Sequence, residues 1–72
     1  MAITTGEKIR ILLKRRNMSI GKLAELTGQS RQNLSKKLRM DNFTDNDLRQ
    51  IAEVLNCSYT VQFKMNDTGE II

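Results

Sequence analysis

The sequence predicts an all-α fold of four short helices, with a short β-strand or hairpin at the carboxyl end. Three observations predict it. Four segments repeat apolar residues three and four positions apart, the spacing of one helix face. Each is preceded by a serine or threonine suited to cap a helix. From residue 58 the apolar period changes to two, the period of a strand.

Residues 1–3 read as a loose end, with Ile3 apolar enough to fold back. Thr4-Thr5-Gly6-Glu7 reads as a capping box, Thr4 as N-cap and Glu7 at N3. The first helix is expected over residues 5–16. Ile9, Leu12 and Leu13 form its buried stripe, and Lys8, Arg10, Lys14, Arg15 and Arg16 cover the rest. Bases in the last turn suit the negative end of the helix dipole. Asn17 is expected as C-cap, with Met18 a core contact behind it.

Ser19 caps the second helix, whose face is Ile20, Leu23, Ala24 and Thr27. Gly28 sits where that helix must stop, because only glycine takes the left-handed backbone without a Cβ penalty. Ser30 caps the third helix, with Leu34 and Leu38 inward. Its other side carries Gln32, Asn33, Ser35, Lys36 and Arg39, all able to hydrogen-bond. Two helices, a short turn with glycine and a basic, amide-rich second member over residues 19–39 make a helix-turn-helix.

Met40-Asp41-Asn42 is a turn. Thr44 and Asp47 are placed as N-cap and N3, Phe43 and Leu48 as a hydrophobic staple. The fourth helix then continues to about Asn56, with Leu48, Ile51, Ala52 and Leu55 on one face. Residues 58–65 alternate strictly, putting Tyr59, Val61, Phe63 and Met65 on one side. Asn66-Asp67-Thr68-Gly69 is turn chemistry, and Glu70-Ile71-Ile72 starts a returning strand. A two-stranded hairpin is marginal alone. This tail, residues 58–72, is therefore expected to pack on the helices or pair with another copy.

Seventy-two residues make one domain, 1–72, near the lower limit for a self-sufficient core. No apolar run exceeds three residues, so no membrane span or export leader is expected. There is one cysteine, Cys57, and no histidine, which excludes disulfide scaffolds, usual zinc sites and His-based catalysis. No cofactor and no enzymatic activity are expected, and an unpaired thiol fits the cytoplasm. Asp41, Asn42, Asp45, Asn46 and Asp47 resemble a calcium loop, but Phe43 and the missing glycine and distal glutamate defeat that reading; they read as helix caps.

Residues 1–40 hold ten Lys/Arg and two acids, a balance of +8, and residues 41–72 hold two and six, a balance of −4. The basic half is the half with the helix-turn-helix. That polarity points to a polyanion on one face, against the plainer reading of solvated charge kept for solubility.

Residues 5–57 resemble the Cro/C1-type helix-turn-helix family, also called XRE-like, of phage repressors and small bacterial regulators. The resemblance rests on GEKIRILLKRRNMS in the first helix, Leu23-Ala24, Thr27-Gly28, Ser30-Arg31-Gln32-Asn33-Leu34-Ser35, and Leu48, Ile51-Ala52 and Leu55. Members usually carry a fifth helix or long extension here. This chain has the strand-like tail instead, as in the small phage Cro type, whose C-terminal strands pair across a dimer.

The resemblance implies double-stranded DNA as partner, with the third helix in the major groove. Carried over by position, Arg31, Gln32, Ser35 and Lys36 face base edges. Ser19, Lys22, Ser30, Asn33 and Arg39 face phosphates. It implies a dimeric repressor of transcription, a homodimer joined through the tail at 58–65. The plainer readings are a solvent face for Gln32 and Lys36 and ordinary N-caps for Ser19 and Ser30. A rival function is a protein-interaction module, such as an antitoxin-like partner that uses its C-terminal strand.

Overall fold

The computed structural model describes residues 3–72; residues 1 and 2, expected at the loose end, lie outside the described residues. Four helices follow one another: α1 (Thr5–Arg15), α2 (Ile20–Leu26), α3 (Arg31–Met40) and α4 (Asp45–Val54). Each starts at the expected cap. The Thr4, Ser19, Ser30 and Thr44 hydroxyls accept from the backbone N–H three residues on, at 3.0–3.1 Å. The full reciprocal box forms at Thr44, where the Asp47 carboxylate also accepts from Thr44 N at 3.0 Å. Among the described residues, Thr4 makes only the forward bond, from Glu7 N.

The helix ends share one device. Asn17, Gly28, Asp41 and Asn56 all have φ between 52° and 69°, each in the left-handed region. Behind three of them the chain closes a Schellman motif: Met18 N donates to Leu13 O, Gln29 N to Ala24 O and Cys57 N to Ala52 O, at 2.8–3.0 Å. The first and last helices are therefore slightly shorter than expected. Arg16 and Leu55 are the C-caps, and Asn17 and Asn56 lie just beyond.

The core is Ile9, Leu13, Leu23, Ala24, Leu34, Leu38, Ile51 and Leu55. Leu12 and Leu48, expected inside it, are half-buried at its edge beside Met18, Ile20, Phe43 and Cys57. α3 packs on both α1 and α2, and α2 on α4. Two long-range contacts set these angles. A Cβ on Gly6 would lie 2.6 Å from Leu38 O, so α1 and α3 cross with backbone nearly touching. Gly6 N donates to the Asp41 carboxylate at 2.7 Å, a charge-assisted cap from the end of α3. The Arg16 guanidinium donates to Leu55 O at 2.9 Å and Asn56 O at 3.2 Å, tying α1 to the carbonyl end of α4.

The tail corrects one expectation. Residues 58–65 do not run as a strand. Pairing is confined to an antiparallel bridge between Lys64 and Ile71, flanked by paired bonds between Phe63 and Ile72 and a bond from Met65 N to Glu70 O. The turn falls where expected, with Gly69 at φ 76°. Tyr59 still leans on α4: partial burial, then the neighbouring Asp45 carboxylate, raises its phenol above the ordinary value. Beyond it the chain leaves the body, with Val61 54%, Phe63 71% and Ile72 72% exposed. The molecule measures 43 × 23 × 21 Å, with a radius of gyration of 13.7 Å, against about 11 Å for a compact chain of this length. Of the alternating face, Tyr59 is partly buried, and Val61, Phe63 and Met65 are exposed.

Candidate nucleic-acid interface

The outer side of α3 is built by the burial of its inner side. Leu34 and Leu38 are 0% and 5% exposed, which turns Gln32, Ser35, Lys36 and Arg39 outward; Arg31 lies on the leucines' side of the wheel and reaches out only because it opens the first turn. These five line one shallow depression of about 570 Å³. All five carry hydrogen-bond donors and none is acidic. Such a surface suits a polyanion with acceptor-rich edges.

Lys37 is excluded from it. Its ammonium lies 3.2 Å from the Asp47 carboxylate, bridging α3 to α4. The Thr44 backbone N–H, then the Lys37 ammonium working against partial burial, holds the Asp47 carboxyl below the ordinary aspartate value. The bridge adds a polar tie between α3 and α4 on the side away from the depression.

Ser19 and Ser30 stand at the starts of α2 and α3. Each hydroxyl accepts a backbone bond at 3.0–3.1 Å through a lone pair. Its own proton stays free to donate, so capping and phosphate binding do not compete. A Cβ on Gly21 would meet the Arg31 side chain at 3.9 Å, so the two helix starts are neighbours. Lys22, also exposed, makes a 4.0 Å contact with Glu25, a surface pair of little energetic weight. Arg10 and Lys14, with Ser19, edge a second open depression, of about 790 Å³.

Asn33 differs from the other eight expected residues. Its Nδ2 donates to Gln29 Oε1 at 3.1 Å. Gln29 Nε2 donates to Thr27 Oγ1 at 2.9 Å, and Thr27 Oγ1 donates to Leu23 O at 2.8 Å. Gln29 lies in the turn between Gly28 and the Ser30 cap, where apolar periodicity says nothing about its side chain. The i, i+4 spacing of two amides is the signal that could have found the pair.

Among the described residues, no helix is long and apolar enough to cross a membrane. Residues 8–60 match a family model described as the Cro/C1-type HTH DNA-binding domain. No curated protein and no solved structure matches the chain.

Proposed function

The chain belongs to the Cro/C1-type helix-turn-helix DNA-binding family, and on that premise we propose a sequence-specific, dimeric transcriptional repressor that reads duplex DNA with α3. The observation that carries this reading is the acid-free depression of Arg31, Gln32, Ser35, Lys36 and Arg39. Arg31, Gln32, Ser35 and Lys36 meet base edges: Arg or Lys matches guanine O6 and N7, and Gln matches adenine N6 and N7. Ser19, Lys22, Ser30 and Arg39 hold the sugar-phosphate backbone. Residues 1–72 act as one DNA-binding unit in the cytoplasm, without catalysis, and block polymerase by occupying a promoter.

The dimer forms through the tail. Its hairpin is too short to be stable alone, yet it holds Phe63 and Ile72 more than two-thirds exposed. Phe63, Met65 and Ile72 share one face, because residues 63 and 72 form a hydrogen-bonded pair and side chains alternate along each strand. A second copy of the same hairpin covers that face and extends the ladder. The open edge also suits an antitoxin-like role, in which another protein adds a strand.

The test is selection of bound duplexes from a random pool at physiological salt, followed by sequencing. A two-fold-symmetric consensus with half-site centres roughly 34–36 Å apart is expected. Binding that enriches nothing and fades with salt would leave only non-specific charge and would favour the protein-partner role.

A further inference from the structure

Hydrogen-bond direction runs outward from α2 and fixes the orientation of one exposed amide. Leu23 O is a backbone carbonyl and can only accept. So is Ala24 O, the hydroxyl's other neighbour. The Thr27 hydroxyl, buried at 8% exposure, therefore spends its single proton on these carbonyls, at 2.8 Å and 3.2 Å. What Thr27 Oγ1 offers Gln29 is a lone pair, so the Gln29 amide turns its nitrogen inward, at 2.9 Å. Gln29 Oε1 then faces Asn33 and must be met by a donor, the Asn33 Nδ2, at 3.1 Å. Each member of the relay has one permitted direction.

The consequence lies at the outer end. Asn33 is exposed in the first turn of α3. One Nδ2 hydrogen is committed to Gln29. The other, and Oδ1, make no side-chain bond among the described residues. A phosphate oxygen, which only accepts, would use the nitrogen alone. With both left over, Asn33 offers an acceptor as well as a donor, the pair that complements adenine, whose N6 amino group donates and whose N7 accepts in the major groove.

We propose that Asn33 is a base-reading residue selective for adenine, and that Gln29, anchored on Thr27, is its positioning residue. The proposal rests on the DNA-reading role of α3 proposed above. It adds to that role a fifth base contact and a reason for glutamine at the turn.

The experiment compares duplex selection and binding titrations for the wild type, Asn33→Ala and Gln29→Ala. The wild-type consensus should hold one adenine per half-site that Asn33→Ala flattens, by about 5- to 150-fold, the discrimination of one bidentate pair. Gln29→Ala should weaken preference at the same position. Positions read by Gln32 and Lys36 should stay sharp in both variants, and melting temperatures should stay close to the wild type. A merely structural Gln29 would lower stability and weaken all duplexes alike, which would overturn the positioning role. Asn33→Ala that lowers affinity evenly, or leaves every position unchanged, would overturn the base contact. If the wild type enriched no consensus, the DNA-reading role itself would fail first, before any variant was compared.

Discussion

Replacing Gly6 with alanine tests the packing that orients α3. In an open helix this change is favourable by up to about 1 kcal/mol. Here the new Cβ would stand 2.6 Å from Leu38 O, a backbone atom that cannot rotate away. Reaching an ordinary contact, about 3.4 Å or more, needs α1 and α3 to separate by at least about 0.8 Å. A gap of that size forfeits roughly a quarter to a half of each dispersion contact across the interface. It also stretches the 2.7 Å bond from Gly6 N to Asp41. Overpacking of this kind costs about 1–3 kcal/mol, which less the propensity gain leaves a net loss of up to about 2 kcal/mol. The expected result is a fall in melting temperature of up to roughly 16 °C, at 4–8 °C per kcal/mol. Gly21→Ala is the matched control, because both glycines occupy the second position of their helices. Its Cβ would meet nothing closer than 3.9 Å, so melting by circular dichroism should rise by a few degrees. The reasoning is refuted if Gly6→Ala is as stable as the wild type or more so.

The remaining predictions concern the core, charge, DNA and tail. Leu34→Ala should cost about 2–5 kcal/mol, much of the roughly 4–11 kcal/mol expected of a domain this size, and denaturant titration would show its midpoint collapse. Because the folded Asp47 carboxyl is held below its ordinary value, its contribution is full at neutral pH and is lost as pH falls below about 4. Asp47→Asn should therefore destabilise at pH 7 and flatten the loss of stability in acid, measured by unfolding across pH. Arg39→Ala should weaken binding to all duplexes similarly and reduce the salt slope of log affinity by about one unit. Truncation after Thr60 should leave the helical signal intact and convert a sedimenting dimer to monomer.

Local chemistry made much of the fold legible. Ser and Thr at the four caps, Gly28 at the turn and Leu34 with Leu38 inside α3 each act within a few residues, where spacing determines geometry. The missed contacts are far apart in sequence. Gly6 meets Asp41 across 35 positions and Arg16 meets Leu55 across 39; the basic run at 14–16 is already accounted for by the negative end of its own helix dipole. Leu12 and Leu48 sit on the right faces but at the core's rim, a distinction periodicity cannot make. The alternation of residues 58–65 expresses a propensity for pairing without supplying a partner, so within one chain it yields only the short hairpin. On the outer side of α3, Gln32, Ser35, Lys36 and Arg39 followed from the inward Leu34 and Leu38. The Gln29 relay did not, because its direction depends on where a buried hydroxyl sends its proton.

The central claim is that α3 presents Gln32 and its neighbours to base edges. The measurement that tests it most directly is a titration of Gln32→Ala against the selected duplex and a scrambled one, at fixed salt. The claim predicts that the affinity ratio falls by about 5- to 150-fold, confined to one base pair per half-site. A ratio equal to that of the wild type would contradict it and would place another surface of the chain on the DNA.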